Sequence, residues 1–107
     1  EKRPQGHGYT VLEVERENPF FTIGMQLKGH EFHYCRILSC EVGEYHLAFR
    51  VTRGTGMDGK RDGMTRKNIL AGFTHLHALG TPQWAPALIG AARRYRAERH
   101  NNAQSTI

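Results

Sequence analysis

Apolar and polar side chains alternate along three segments of this chain, and a period of two is typical of β-strands that bury one face. Residues 45–53 show the alternation most clearly, and residues 9–15 combine it with β-branched side chains. Residues 29–38 also have strand composition, and alternation along them puts Glu31 and His33 on the same face. The pattern therefore predicts three strands.

Glycine and proline divide these strands from the rest of the chain. Residues 1–8 are expected to be an irregular lead-in, Pro19 ends the first strand, and residues 41–44 are expected to form a turn. Residues 53–63 contain four glycines and are predicted to be a loop rather than a regular element. A short strand is expected to return within residues 64–71.

A helix is predicted near the C-terminal end of the sequence. Thr81 followed by Pro82 is a helix-start signal, a capping hydroxyl before proline at the first helical position. Apolar residues then recur at three- and four-residue spacing, which predicts an amphipathic helix over residues 82–98. Its apolar stripe, expected to pack on the core, consists of Trp84, Leu88, Ala91, Ala92 and Tyr95. Residues 101–107 have little to bury and are predicted to be a flexible tail.

Together these elements predict an α+β fold. Short connections between strands favour a mixed or antiparallel sheet of several strands, covered on one face by the C-terminal helix. At 107 residues the chain fits a single folded unit, which we place at residues 1–100.

The composition indicates the cellular compartment and the redox state expected for the protein. Hydrophobic residues make up 38% of the chain, and no stretch approaches the roughly 18 apolar residues of a membrane span. No N-terminal segment has the order of a signal peptide. The two cysteines, Cys35 and Cys40, are too few for a disulfide framework. We therefore expect a soluble, cytoplasmic protein with reduced thiols and no membrane partner.

The net charge of +5 makes acidic binding partners, such as nucleic acid or a phosphorylated ligand, worth considering. Nucleic acid is disfavoured, because the chain has no recognised nucleic-acid-binding motif and its aromatic residues are expected to be buried. The glycine-rich segment could approach a phosphate through its backbone, but it lacks the Gly-Lys-Ser/Thr ending of a phosphate-binding loop, and a mobile hairpin loop is the alternative. A small basic module that binds metal or nucleic acid remains the alternative class of function.

Two patches rich in histidine are the candidates for chemistry. The first contains His30, Glu31 and His33, and the second contains His75 and His77. Neutral imidazoles and a carboxylate are possible metal ligands. On a strand, however, His30 and His33 would point to opposite faces, whereas His75 and His77 would share one. This geometry and the absence of a spaced Cys/His signature argue against a metal site.

Acid–base catalysis is the other interpretation of these patches. A histidine near a strand end can take a proton from a nucleophile while a carboxylate orients the ring. Neither Cys35 nor Cys40 lies in a glycine-flanked turn of the kind that exposes a nucleophile, and no serine does. The residues therefore predict a base without its nucleophile, and the two cysteines are expected to be small hydrophobic residues on a sheet face.

Two strings in the chain are far more specific than a lone glycine motif: Gly29-His30-Glu31-Phe32-His33-Tyr34 and Thr74-His75-Leu76-His77. They occur with Pro4-Gln5-Gly6-His7-Gly8-Tyr9, Asn18-Pro19-Phe20, Arg61-Asp62-Gly63 and Trp84-Ala85-Pro86. In this order and spacing, the strings resemble the C-terminal part of the cobyrinic acid a,c-diamide synthase family. The resemblance runs from residue 4 to about residue 88.

The resemblance implies a class I glutamine amidotransferase-like domain of the cobyric-acid-synthase type, with an α/β fold of which this chain is the α+β fragment. In the parent enzyme this domain is joined to one that binds ATP and Mg²⁺. Such enzymes hydrolyse glutamine at a cysteine–histidine pair and deliver ammonia to carboxylates of a corrin precursor, a tetrapyrrole. Similar proteins are thought to amidate sirohaem, which is the alternative acceptor. By motif match His75 falls at the catalytic histidine of the family. His77 is a less favoured neighbour for that role, and Glu31, His33 and His77 take a supporting or substrate-binding role.

The chain departs from the family pattern in what it lacks. The family nucleophile lies in an upstream glycine-rich elbow that is not in this sequence, and the ATP site is not in it either. Cys35 follows Tyr34, where the family usually has serine, so it is no substitute for the nucleophile. We therefore expect a C-terminal portion of the amidotransferase domain, inactive alone, whose partner is the remainder of its parent chain.

Overall fold

The computed structural model describes residues 2–35, 37 and 45–105, with side chains to residue 101. Within these residues the chain forms six strands and one helix. In chain order they are β1 (Gly6–Val14), β2 (Gln26–His33), β3 (His46–Arg53), β4 (Arg61–Arg66), β5 (Ile69–Ala71), β6 (His75–Leu76) and α1 (Trp84–Ser105). The turn predicted at residues 41–44, and Cys40, lie outside the described residues.

The six strands form one antiparallel sheet in the order β5-β4-β3-β1-β2-β6. β1 pairs with β2 on one side and with β3 on the other. β6 adds to the outer edge of β2 through two residue pairs, Gly29 with Leu76 and His30 with His75. The prediction of an α+β fold with a C-terminal helix is confirmed, and the sheet is antiparallel rather than mixed.

The core lies on one face of the sheet, where alternate residues of β1 and β2 are buried. Its buried members are Leu12, Val14, Phe21, Leu27, Ala48 and Phe49. Phe21 enters the core from the loop after β1, because the side chain of Asn18 accepts the backbone N–H groups of Phe20 and Phe21 and fixes that loop. The three strands predicted from alternation are confirmed as β1, β2 and β3, with shifted ends.

Strand ends differ from the predictions because pairing extends a strand beyond its local pattern. β1 begins at Gly6, inside the expected lead-in, since its register with β2 continues to the pair of Gly6 with His33. The segment predicted as one short strand at residues 64–71 is divided. Lys67, with a φ of 52°, turns the chain between β4 and β5.

The prediction of a loop over residues 53–63 is wrong at its C-terminal end. β4 starts at Arg61, so Asp62 and Gly63 are strand residues that pair along β3. Gly63 adopts a φ of 74° and its backbone lies against the ring of Phe49, a close approach that only glycine allows. A local excess of glycine therefore marks a tight strand contact here rather than an irregular segment.

The helix is longer than predicted and begins differently. α1 runs to Ser105, into the expected tail, because residues 101–105 contain neither glycine nor proline and helical hydrogen bonds need no core contact. The hydroxyl of Thr81 does not cap α1. It instead accepts the N–H of Lys28 at 3.0 Å and donates to the carbonyl oxygen of Lys28 at 2.7 Å.

The apolar stripe of α1 is not buried as predicted. Trp84, Leu88 and Tyr95 keep 39%, 48% and 50% of their surface exposed, and Ala87 is the helix residue that packs against the core. An open groove of about 400 Å³ separates this face of α1 from Pro19 and Phe20. No helix among the described residues is long and apolar enough to cross a membrane.

Candidate active site

Glu31 is a buried carboxylate on the core face of β2, with 2% of its surface exposed. It accepts the backbone N–H groups of Thr55 at 2.7 Å and Gly56 at 2.9 Å. Nε2 of His33 lies 3.2 Å from the same carboxylate. Glu31 therefore ties the start of the glycine-rich loop to β2.

His33 lies beside Glu31 on the core face, as the alternation predicted, and is also buried. Its Nδ1 lies 2.6 Å from the carbonyl oxygen of Cys35, which only accepts, so Nδ1 carries a proton. The ring stacks on Phe73 with centroids 4.3 Å apart and planes 23° apart. His33 thus connects β2 to the segment that precedes β6.

His75 lies on the opposite face of the sheet from Glu31 and His33. It is exposed on β6 and pairs across the strands with His30, with ring centroids 4.9 Å apart. Consecutive residues of β2 point to opposite faces, so Glu31 cannot reach the ring of His75. The structure therefore brings His75 together with His30, and Glu31 together with His33, but it does not bring the two pairs together.

His77 follows the end of β6 and lies in a turn, so the expectation that it shares a strand face with His75 does not apply. Its Nδ1 accepts the backbone N–H of Leu79 at 3.2 Å. Its carbonyl oxygen accepts the N–H groups of Gly80 and Thr81. These contacts make His77 a turn-forming residue in the described structure.

Asp62 is a residue of this region that the sequence reasoning did not single out. Its carboxylate is fully buried and accepts three backbone N–H groups, those of Gly63 at 2.9 Å, Phe73 at 3.1 Å and Thr74 at 3.0 Å. The signal available in the sequence was an aspartate in the family string Arg61-Asp62-Gly63. The glycines around it predict a loop, which gives no reason to expect a buried carboxylate.

Possible metal ligands and the N–H groups of the glycine-rich loop were two candidate features of the sequence. No three His, Cys, Asp or Glu side chains in the described part of the chain lie together as a possible metal-binding set. In the glycine-rich loop, the N–H groups of Thr55 and Gly56 are bound to the carboxylate of Glu31. Asp58 accepts the N–H groups of Lys60 and Arg61. Carboxylates of the chain itself therefore occupy these four N–H donors, the groups through which the loop backbone could have approached a phosphate.

The hydrogen bonds to Glu31 control its charge. Burial raises the pKa of Glu31, but the N–H groups of Gly56 and Thr55 and the ring of His33 outweigh burial, so the pKa lies below its ordinary value. A lowered folded-state pKa means that the ionised carboxylate stabilises the fold. This stabilisation is fully present above about pH 4.3, the ordinary pKa of glutamate, and is lost as the pH falls through the lower folded-state pKa.

Glu31→Gln should lower the free energy of unfolding at pH 7 by roughly 1–3 kcal/mol, because the amide nitrogen cannot accept the buried N–H groups. The difference from wild type should shrink as the pH falls from 7 to 3, which urea denaturation at each pH measures. Glu13→Gln is the control, because Glu13 forms a half-exposed ion pair with Arg50, worth at most about 1 kcal/mol. Equal effects of both substitutions at pH 7 would contradict the assigned role of Glu31.

Comparison with known proteins shows that the sequence is similar to several proteins that carry the same name. It is 38% identical over 86 residues to the "Cobyrinate a,c-diamide synthase" of Magnetococcus marinus, which covers 80% of this chain and 18% of that protein. It is 41% identical over 83 residues to the protein of that name from Methanothermobacter thermautotrophicus, covering 78% of this chain and 18% of the relative. A third relative with this name, from Methanocaldococcus jannaschii, is 32% identical over 88 residues.

Neither a protein-family model nor a solved structure matches the chain. The chain spans 18% of the length of the first two relatives, so they include much sequence that it does not cover. The relatives nevertheless share one name, and the match extends over about four fifths of the chain. The chain therefore belongs to the cobyrinate a,c-diamide synthase family.

Proposed function

We propose that this chain is the C-terminal section of a glutamine-hydrolysing, ATP-dependent amide ligase that amidates carboxylates of a tetrapyrrole. The names of the relatives and the 18% share of their length that the chain covers support this proposal. Those names specify cobyrinate, so we propose a corrin precursor rather than sirohaem as the acceptor. We assign ATP and Mg²⁺ to the remainder of the parent chain and place the reaction in the cytoplasm, where glutamine and ATP are available.

The observation that carries the proposal is the position of His75. Its ring is exposed on the sheet, while the two residues before it donate N–H groups to the buried carboxylate of Asp62. An exposed imidazole on a fixed backbone suits a general base that must meet a nucleophile supplied by another part of the protein. We therefore assign the catalytic base to His75 and the domain to the class I glutamine amidotransferase type.

In the proposed reaction, His75 takes the proton from the thiol of a cysteine in the remainder of the parent chain. The thiolate then adds to the side-chain carboxamide carbon of glutamine. The protonated ring returns its proton to the departing nitrogen, which leaves as ammonia. Water hydrolyses the resulting thioester to glutamate. His33 supports this site through its ring contact with Phe73, and Glu31 supports it through its contact with His33. His77 supports it through its turn.

The chain alone should release no ammonia from glutamine, whereas the parent protein should release it. The reason is that the proposed nucleophile belongs to the remainder of the parent chain. Cys35, the cysteine within the described residues, follows β2 and is not flanked by glycine as the family nucleophile is. Ammonia release measured by coupled assay, with and without glutamine, tests both statements. Glutamine-dependent release by the isolated chain, or none by the parent, would overturn the proposed function.

A further inference from the structure

β6 is too short to position His75 by strand pairing alone. It contains two residues and pairs with β2 only through Gly29–Leu76 and His30–His75. A base that must reach a nucleophile needs its backbone fixed to a fraction of an ångström, because misplacement by about 1 Å can cost about 100-fold in rate. Another contact must therefore hold the segment that leads into β6.

Asp62 provides such a contact from a distant strand of the sheet. It lies on β4, which is separated from β6 in the sheet by three strands, β3, β1 and β2, yet its buried carboxylate accepts the N–H groups of Phe73 and Thr74. Thr74 immediately precedes His75. A carboxylate with no exposed surface and three N–H donors has little freedom to move, so it fixes the backbone at these two residues.

Two further observations show that the backbone before β6 is closely packed. A Cβ atom added at Gly72 would lie 3.1 Å from Oδ1 of Asp62, tighter than an ordinary contact. The ring of Phe73 stacks on His33, so the same residue is held by its N–H on one side and by its ring on the other. Phe73 and Thr74 are therefore anchored at two consecutive positions, and Gly72 leaves no room for a side chain beside the carboxylate without a shift.

We propose that Asp62 is a positioning residue for His75, acting through the N–H groups of Phe73 and Thr74. This inference rests on the proposed function, in which His75 is the base. It assigns Asp62 no contact with glutamine or with the nucleophile. Its role is to set the direction from which the ring of His75 meets the nucleophile.

The first test is Asp62→Asn in the parent protein, assayed for glutamine hydrolysis. The amide nitrogen cannot accept a hydrogen bond, so at least one of the three N–H groups loses its partner. We expect kcat to fall by about 10-fold or more, with KM for glutamine changed by less than about 3-fold, because alignment rather than binding is affected. The matched control is Asp58→Asn, which makes the same change at an exposed aspartate that accepts two loop N–H groups. Its kcat should stay at the wild-type value.

A double substitution separates positioning from general destabilisation. If Asp62 acts through His75, then adding Asp62→Asn to His75→Ala should lower the residual activity no further. A loss of the same size in both backgrounds, or an unchanged kcat for Asp62→Asn alone, would overturn the inference while leaving the proposed function intact. Full activity of His75→Ala would instead overturn the proposed function itself.

A second variant covers the case in which Asp62→Asn does not fold, which circular dichroism would reveal. Gly72→Ala pushes the same segment away from the carboxylate without removing a buried charge. It should lower kcat several-fold in the wild-type background and have no effect in the His75→Ala background. In the isolated chain, Gly72→Ala should also speed hydrogen exchange at the N–H groups of Phe73 and Thr74. Unchanged kcat together with unchanged exchange would count against Asp62 as the anchor.

Discussion

His75→Ala should lower the rate of glutamine hydrolysis by the parent protein by about 100-fold or more, the range expected when a general base is lost. The ring of His75 is exposed on β6 and lies beside the ring of His30, at 4.9 Å between centroids. Both thiol activation and ammonia departure depend on this one imidazole in the proposed reaction. The measurement is kcat and KM from ammonia release, and we expect the loss to be in kcat.

His77→Ala is the matched control for this substitution. It removes the same side chain two residues away, where Nδ1 accepts a single turn N–H from Leu79. Its activity should remain within about 3-fold of wild type. A turn hydrogen bond of this kind is worth about 1 kcal/mol, and the side chain of His77 does not touch the reacting atoms in the proposed reaction. Full activity of the His75 variant with collapse of the His77 variant would show that the family match assigns the base to the wrong histidine.

Gly63→Ala should lower the free energy of unfolding by about 3 kcal/mol or more. A Cβ at this position would overlap Cδ2 of Phe49, a buried core ring, and the backbone has a φ of 74°. Overpacking of a core typically costs about 1–3 kcal/mol. A side chain in the left-handed region adds roughly 1–2 kcal/mol. Because small domains have only about 5–15 kcal/mol of stability, the loss should be plain in urea denaturation.

Gly59→Ala is the control that measures the backbone part of this effect without the steric part. Gly59 also has a positive φ, 90°, but an added Cβ would meet nothing within 4 Å. The control should therefore show only the backbone cost, about 1–2 kcal/mol. If both variants lose the same stability, the close approach of Gly63 to Phe49 does not matter for the fold.

The sequence predicted those parts of the fold that depend on local periodicity. β1, β2 and β3 each alternate along their own length, so their existence and the shared face of Glu31 and His33 were readable without tertiary information. The start of β4 was not, because Gly63 is used for its close approach to Phe49 rather than for a turn. The exposure of Trp84 was missed for a similar reason, since periodicity shows that a helix has an apolar face but not what covers it.

The sequence identified the residues of the candidate site but not which of them lie together in the fold. The histidine-rich strings identified both patches, yet only the antiparallel pairing of β6 with β2 places His75 beside His30 and away from Glu31. The burial of Asp62 has no local signature at all. Its partners, Phe73 and Thr74, are eleven and twelve residues away along the chain.

The hydroxyl of Thr81 also protects the sheet from unwanted association. Where β6 ends, the N–H and carbonyl oxygen of Lys28 would otherwise be an open strand edge, the usual starting point for intermolecular sheet growth. Thr81 satisfies both groups with one buried side chain. A strand from a second molecule would therefore find neither a donor nor an acceptor free at Lys28, so this hydroxyl extends the cover that β6 gives to the same edge of β2.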